Sequence, residues 1–160
     1  TPLYALRDTG PAGGLIFYVK AGGYSDGWMY LEAAPSDQGT GKQWYNGSYV
    51  ATGATGTAIG TGQDNTTTIV TIQGAGSYAA QLCNDLTLGG YNDWFLPSKD
   101  ELNLMYENLK VFEVGDFGAY YYWSSSELNA HAAWFQNFYY GYQDYDFKYR
   151  TYRVRAVRAF

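Results

Sequence analysis

The sequence is poor in the residue types that most catalytic, metal and disulfide sites need. Its 160 residues include one cysteine, Cys83, and one histidine, His131. A single cysteine excludes an intramolecular disulfide, so the fold has to be held together by packing. No H-x-x-x-H, C-x-x-C or EF-hand spacing occurs, so we expect no metal site and no cofactor. We interpret Cys83 as a small buried hydrophobe within a helix and His131 as an exposed residue in a turn.

Charged residues are also scarce. They make up 16% of the chain, and 10 basic against 15 acidic residues give a net charge of −5. A nucleic-acid partner is excluded, because DNA- and RNA-binding domains need a basic surface. No run of about 18 apolar residues occurs, which excludes a transmembrane helix. The length and the 46% of hydrophobic residues predict one globular domain over residues 1–160.

Tyrosine is the residue type that is present in excess, and it is unevenly placed. Nine of the 18 tyrosines lie between Tyr120 and Tyr152. Charge is uneven too: residues 1–147 carry a net charge of −10, whereas residues 148–160 contain five basic residues and no acid. The last quarter of the chain therefore has a composition of its own.

The hydrophobic patterns predict an α+β fold. Runs of β-branched and aromatic residues predict strands, and apolar residues at helical spacing predict helices. The predicted strands are 14–20 and 28–34, which form a hairpin, and 119–124, 132–139 and 146–159. The predicted helices are one capped by Asp64 or Asn65 and running to Gln73, one over 77–86, and one over 99–109. Residues 35–62 are expected to form a long ordered loop pinned by Trp44 and Tyr45.

The clearest local signal is Ser98-Lys99-Asp100-Glu101 at the start of the last predicted helix. The Ser98 hydroxyl is positioned to accept a hydrogen bond from the Glu101 N–H, and the Glu101 carboxylate to accept one from the Ser98 N–H, which makes a capping box. Glu101 thus has a structural role. Glu127 is interpreted as an isolated carboxylate, so no glycosidase-like pair is predicted.

The stretch from Leu128 to Tyr152 resembles a recognition surface in composition. Tyrosine, asparagine and aspartate are the residues that antibody paratopes use, since tyrosine offers a large contact area at low entropic cost. Four tyrosines near one turn cannot all be core. The predicted ligand-binding residues are Asn129, His131, Phe135, Asn137, Tyr139, Tyr140, Tyr142, Asp144, Tyr145, Asp146, Tyr149, Arg150 and Tyr152. The alternative is ordinary packing of strand tyrosines on a sheet.

The basic C-terminal stretch has two interpretations. Lys148, Arg150 and Arg153 form an anion-binding strip for a polyanion such as a sulfated glycan, or the basic side chains pair with carboxylates elsewhere in the chain. Pairing is the favoured interpretation, because the rest of the chain has a large excess of acid. Asp144 and Asp146 are two residues apart, and a solvated turn is favoured there over a calcium site.

Several segments together resemble one protein family. They are Gly13-Gly14-Leu15-Ile16-Phe17-Tyr18, Trp28 to Pro35, Trp94-Phe95-Leu96-Pro97-Ser98-Lys99-Asp100-Glu101-Leu102, Tyr122-Trp123-Ser124-Ser125-Ser126-Glu127 and Val154-Arg155-Ala156-Val157-Arg158. The family includes the C-terminal domain of a bacterial collagen-like adhesin and the variable proteins of diversity-generating retroelements. The resemblance implies a C-type-lectin-like fold of the formylglycine-generating-enzyme subgroup, in which the N- and C-terminal strands lie together.

The resemblance also implies a function. It points to a non-enzymatic receptor or adhesin that binds a protein or cell-surface ligand and is displayed on a cell surface, outside the cell or on a virion. The chain lacks the cysteine pair of a formylglycine-generating enzyme. It also lacks the Glu-Pro-Asn or Gln-Pro-Asp triplet and the Trp-Asn-Asp triplet of calcium-dependent sugar lectins. Neither of those activities is therefore implied.

The retroelement branch implies a variable region over residues 120–160. There, adenine-specific mutagenesis acts on AAC-type codons and cannot generate Trp, Gln, Glu, Lys or Met. Within 128–152 the residues that this mutagenesis cannot generate are Trp134, Gln136, Gln143 and Lys148, which are expected to be scaffold.

Overall fold

The computed structural model describes residues 2–160 and shows an α+β fold with two sheets and three helices. The strands are β1 (Leu15–Val19), β2 (Tyr30–Ala33), β3 (Gly39–Lys42), β4 (Tyr121–Glu127), β5 (Ala132–Asn137), β6 (Gln143–Phe147), β7 (Tyr152–Val154) and β8 (Val157–Ala159). The helices are α1 (Gly62–Gln73), α2 (Ala79–Asn84) and α3 (Lys99–Asn108), and a 3-10 turn follows at Lys110–Phe112.

The smaller sheet joins the two ends of the described chain. Its order is β1-β2-β8, and all its neighbours are antiparallel. The predicted hairpin is confirmed, with Leu15 opposite Ala33. Strand β8 then pairs with β2, so Ala159 lies opposite Leu31. The resemblance implied this meeting of early and late strands.

The larger sheet carries the tyrosine-rich region. Its order is β3-β7-β4-β5-β6, in which β4 and β7 run parallel and the other neighbours are antiparallel. Strand β6 lies at one edge and pairs only with β5. Pairing is interrupted between Trp123 and Glu127 on β4, where the register shifts.

The single terminal strand predicted over residues 146–159 is wrong. The segment is divided among the end of β6, β7 in the larger sheet and β8 in the smaller one. The chain crosses between the sheets at Arg155, whose side chain is 1% exposed. Its guanidinium donates to the backbone oxygens of Ala34, Gly115 and Asp116 at 2.7–2.9 Å. This buried guanidinium satisfies carbonyl groups at the crossing that would otherwise be unpaired.

The capping box is confirmed at the start of α3. The Ser98 hydroxyl accepts from the Glu101 N–H at 3.3 Å, and Glu101 Oε1 accepts from the Ser98 N–H at 2.7 Å. The predicted cap of α1 at Asp64 or Asn65 is wrong, because the helix begins at Gly62 and Thr61 is its N-cap. The Asn65 amide donates instead to the Gly56 carbonyl at 2.7 Å.

The loop over 35–62 is pinned as expected. Trp44 is fully buried and donates to the Ser124 carbonyl at 2.8 Å, and Tyr45 is also buried. The loop includes β3, which the sequence did not predict because Gly-Thr-Gly-Lys has no apolar alternation. Cys83 is fully buried in the core, as interpreted from the sequence. No helix within residues 2–160 has the length and apolar character needed to cross a membrane.

Candidate functional site

The candidate site is built on the β5–β6 hairpin and the turn that connects it. Asn137, the last residue of β5, organises this turn. Its side-chain Oδ1 accepts from the N–H groups of Tyr139 and Tyr140 at 2.7 and 2.9 Å, and its carbonyl accepts from the Gly141 N–H at 2.7 Å. Asparagine side chains form such local bonds readily. Gly141 has a φ of 91°, which only glycine adopts without strain.

The turn and the neighbouring part of β6 present four exposed tyrosines. We use the term tyrosine patch for Tyr139, Tyr140, Tyr142 and Tyr145, whose exposed fractions are 64%, 75%, 46% and 52%. The rings of Tyr139 and Tyr140 pack edge to face with centroids 4.6 Å apart. The tyrosines are therefore a surface feature rather than core, as expected from the sequence.

Two of the predicted ligand-binding residues are not on the surface. Phe135 and Asn137 are each only 5% exposed, so their expected placement on the binding surface is wrong. The Phe135 ring stacks on Tyr121 with centroids 4.7 Å apart and also packs against Tyr152. The error arises because side chains alternate between the two faces of the sheet along β5. Phe135 points to the face where it forms an aromatic layer with Tyr121 and Tyr152. Asn137 stabilises the turn between β5 and β6 through the hydrogen bonds described above.

A second group of predicted residues meets at the far end of β6. Asn129, His131, Tyr145 and Asp146 line one concavity of about 180 Å³. His131 is exposed, as interpreted from the sequence. The Asn129 side chain holds the turn by accepting from the His131 N–H at 2.8 Å. The fold thus brings together residues that are up to 17 positions apart in the sequence.

The aromatic surface extends beyond the predicted residues. Phe147 is 49% exposed, and its ring stacks on Tyr149 with an interplanar angle of 9°. Tyr49, from the long loop, is 43% exposed and packs against the His131 ring at 4.9 Å. The alternation Tyr145–Phe147 was a usable signal for Phe147. The sequence contains no local signal for Tyr49, because its contact is made across the fold.

A further opening lies where β7 meets β4. It is a groove of about 290 Å³, lined by Thr40, Ala119, Tyr120, Tyr121, Thr151, Tyr152 and Arg153. The Arg153 guanidinium lies 3.8 Å from the centre of the Tyr120 ring. Tyr152 is half-buried, and its hydroxyl donates to the Asp146 carboxylate. The groove therefore contains tyrosine faces, hydroxyls and one cationic group.

The tyrosine hydroxyls interact across the surface. Those of Tyr121 and Tyr142 are 3.2 Å apart. Their hydrogen bond raises the pKa of Tyr121 and lowers that of Tyr142. Burial, followed by the Asp146 carboxylate, raises the pKa of Tyr152. At neutral pH the hydroxyls of Tyr121 and Tyr152, whose pKa values are raised, thus keep their protons and can donate hydrogen bonds.

The basic stretch is mostly paired, as the favoured interpretation held. Arg153 and Arg155 share the Asp37 carboxylate at 2.9 and 2.8 Å, and Arg158 pairs with Glu32 and Asp93 at 3.2 and 2.9 Å. Arg150 is half-exposed and lies 3.7 Å from Asp146.

Lys148 cannot take part in an anion-binding strip on the surface. Its side chain is fully buried and pairs with Glu127. Glu127, interpreted from the sequence as isolated, also accepts from the Thr52 and Gly53 N–H groups at 2.9 and 3.0 Å. The predictions of an exposed Lys148 and of an isolated Glu127 were wrong for the same reason. The pair joins positions 21 residues apart, and no local sequence pattern connects them.

The carboxylates of the hairpin do not gather into a cluster. Asp144 and Asp146 lie on β6 rather than in the turn where the sequence placed them. Within residues 2–160 no three His, Cys, Asp or Glu side chains come together in a group that would hold a metal ion.

Comparison with known proteins adds one finding. A family model described as the Lcl C-terminal domain matches residues 34–158, which include the whole of the candidate site. No curated protein matches the chain.

Proposed function

Because the chain belongs to the Lcl C-terminal domain family, we propose that it is a non-enzymatic, adhesin-type domain that binds its ligand through the tyrosine patch. Family membership suggests a lectin-like ligand-binding domain, and on this proposal the scaffold has a C-type-lectin-like fold. The observation that carries the proposal is the exposure of four tyrosines, 46–75% each, on one hairpin. Tyr142 contacts Tyr121 on one face of the sheet and Tyr145 packs on Trp134 on the other, so the patch wraps around the end of the hairpin. Exposed aromatic surface of this kind is typical of interaction sites.

The exposed tyrosines of the patch lie over buried, hydrogen-bonded residues, and this arrangement strengthens the proposal. Beneath the patch, Gln136 is fully buried, and its amide donates to Asn103 on α3 and to the Gly141 carbonyl at 2.9 and 3.0 Å. A Cβ at Gly141 would lie 2.6 Å from the Tyr106 ring, so the turn packs closely on α3. Tyrosines on a preorganised turn lose little entropy on binding, which favours affinity.

The difference in exposure between residues that adenine mutagenesis can and cannot generate supports a diversified surface. Of the four residues that adenine mutagenesis cannot generate, Gln136 and Lys148 are fully buried and Trp134 and Gln143 are half-buried. The most exposed aromatic side chains of the hairpin, those of Tyr139 and Tyr140, belong to the set of residues that this mutagenesis can generate. On this proposal the protein is displayed on a cell surface, outside the cell or on a virion, and its partner is a protein or other surface molecule.

The fixed-specificity alternative is a polyanion-binding adhesin. Burial of Lys148 leaves only Arg150 and Arg153 of the strip, with side chains that are 53% and 23% exposed, and each already faces a carboxylate. The structure therefore favours the tyrosine patch over the basic strip.

Arrays of purified extracellular proteins and of glycans, probed with labelled protein, test the function. Replacing Tyr139, Tyr140, Tyr142 and Tyr145 together with alanine is expected to remove the binding seen with the wild type and to leave the melting temperature nearly unchanged. Tyr24→Ala is the matched control, because Tyr24 is 70% exposed and lies outside the patch. Binding that survives the fourfold change would contradict the proposal. Binding confined to sulfated glycans and lost with salt would favour the alternative.

The surrounding DNA tests the diversification. We expect a near-copy of the coding segment for residues 120–160, differing mainly at adenines and lying beside a reverse transcriptase gene. Absence of any such copy from the complete genome would reject diversification and leave a fixed-specificity binding domain.

A further inference from the structure

Strand β6 leaves one side of the larger sheet open. It pairs with β5 on one side, and within residues 2–160 no strand pairs with the other. Its residues are accessible: Asp144, Tyr145 and Phe147 are exposed, and Gln143 and Asp146 are half-exposed. An open edge is a ready template for another strand unless the protein protects it.

The hydrogen bonds identify which backbone groups face outward. The Lys148 N–H donates to the His131 carbonyl, and the Tyr142 carbonyl accepts from the Asn137 N–H, both at 2.9 Å. Antiparallel pairing alternates, so even-numbered residues face β5 and the N–H and C=O groups of Tyr145 and Phe147 face away.

Carboxylates occupy the outward N–H groups. Asp144 Oδ1 accepts from the Tyr145 N–H at 2.8 Å, and Asp146 Oδ1 accepts from the Phe147 N–H at 2.7 Å. Each carboxylate thus caps the N–H of the residue that follows it. Such local bonds compete with sheet pairing but leave the strand geometry intact.

We propose that the β6 edge binds an extended polypeptide segment as an added strand, in which basic side chains alternate with apolar ones. A carbonyl of the incoming strand replaces each carboxylate at the N–H, and the released carboxylate pairs with a Lys or Arg of that strand. Because side chains alternate along β6, Tyr145 and Phe147 lie on the opposite face and contact the apolar residues. This inference rests on the proposed function and names its partner class.

Charge decides the occupant of the edge. Asp144 forms no ion pair with any described residue, and Asp146 has only the half-exposed Arg150 at 3.7 Å. A second copy of β6, pairing antiparallel about Tyr145, would place Asp144 opposite Asp146 of that copy. Like charges directly opposite each other destabilise a pair of strands, whereas a basic strand is complementary.

The probe for this inference is a capped octapeptide of alternating lysine and valine, titrated into the whole protein by calorimetry and by two-dimensional NMR. We expect saturable binding that weakens with salt and that shifts the Tyr145 and Phe147 amide signals. A glutamate–valine peptide should bind at least about tenfold more weakly. Tyr145→Pro, which removes the outward N–H, should bind about tenfold more weakly than Tyr145→Ala, which keeps it.

Each contrary result overturns the inference. In the titrations, these results are no binding of the lysine–valine peptide, or equal binding of the lysine–valine and glutamate–valine peptides. For the variants, the result is equal affinity of Tyr145→Pro and Tyr145→Ala for the lysine–valine peptide. In sedimentation, it is a dimer of the wild-type protein. If Tyr145→Pro fails to fold, the wild-type protein is titrated with a lysine–valine peptide that is N-methylated at alternate residues, and undiminished binding overturns it. If the fourfold tyrosine change abolishes array binding while Tyr145→Pro matches Tyr145→Ala, this inference fails and the proposed function stands.

Discussion

Lys148 and Glu127 form an ion pair in the interior, with Nζ 2.5 Å from Oε1 and side chains that are 0% and 2% exposed. The pair lies where the end of β4, the residue after β6 and the long loop meet. Lys148 also donates to the Val50 carbonyl at 3.1 Å and lies 4.6 Å from the centre of the Trp44 ring. Burial lowers the pKa of Lys148, and Glu127 opposes that effect.

Breaking this pair should destabilise the protein. Lys148→Met leaves the Glu127 carboxylate buried without its cation, and we expect the free energy of unfolding to fall by about 3–5 kcal/mol. Urea unfolding followed by circular dichroism measures the change. Lys110→Met is the control, since Lys110 is half-exposed and forms no ion pair among the described residues. Equal losses of unfolding free energy in the two variants would show that the Lys148–Glu127 pair does not stabilise the fold.

Phe135 and Tyr140 should behave in opposite ways. Phe135→Ala removes a ring that is 5% exposed from the aromatic layer, so we expect a loss of about 3–5 kcal/mol in unfolding free energy. Tyr140→Ala changes a ring that is 75% exposed, so we expect a change within about 0.5 kcal/mol. Thermal unfolding of both variants provides the check. Similar melting temperatures for the two variants would contradict the assignment of Phe135 to the core and of Tyr140 to the exposed surface.

The capping carboxylate of α3 predicts a dependence on pH. Burial raises the pKa of Glu101 above its usual 4.5, although backbone N–H groups of Ser98 and Gly60 oppose the effect. The native state therefore holds a proton that the unfolded chain has lost, and this group makes stability fall as the pH rises from about 4.5 through the raised pKa. Urea titrations from pH 4 to pH 8 should show the wild type losing stability relative to Glu101→Gln. A difference that stays flat or grows with pH would refute this.

Cys83 should be chemically silent in the native protein. Its thiol is fully buried, and burial raises its pKa, so the reactive thiolate is absent at neutral pH. We expect an aromatic disulfide reagent at pH 8 to label the thiol only after denaturant is added. Rapid labelling of the folded protein would place the thiol at the surface and reopen an enzymatic role for it.

Local chemistry in the sequence predicted much of the fold. The capping box was predicted because both of its partners lie within four residues, and the first hairpin because its strands are bounded by glycines. The division of the last strand was missed because it depends on Arg155 reaching the Ala34 carbonyl, 121 positions away.

The candidate site was predicted at the level of the segment but not of every side chain. Composition alone cannot separate Phe135 from Tyr140, because which of them is buried depends on the register of β5 against β4. The contribution of Tyr49 depends on a loop that the Glu127–Lys148 pair holds in place. Such long-range contacts leave no periodicity in the sequence.

The division of residues 152–159 between two sheets has a consequence for protein synthesis. The hairpins of both sheets leave the ribosome before β7 and β8 do, yet neither sheet is complete until these two strands are added. A stop codon or frameshift anywhere in the tyrosine-rich stretch therefore yields a chain that lacks a strand from each sheet. Both sheets, and with them the tyrosine patch, can therefore form only when the reading frame stays open to the end of β8.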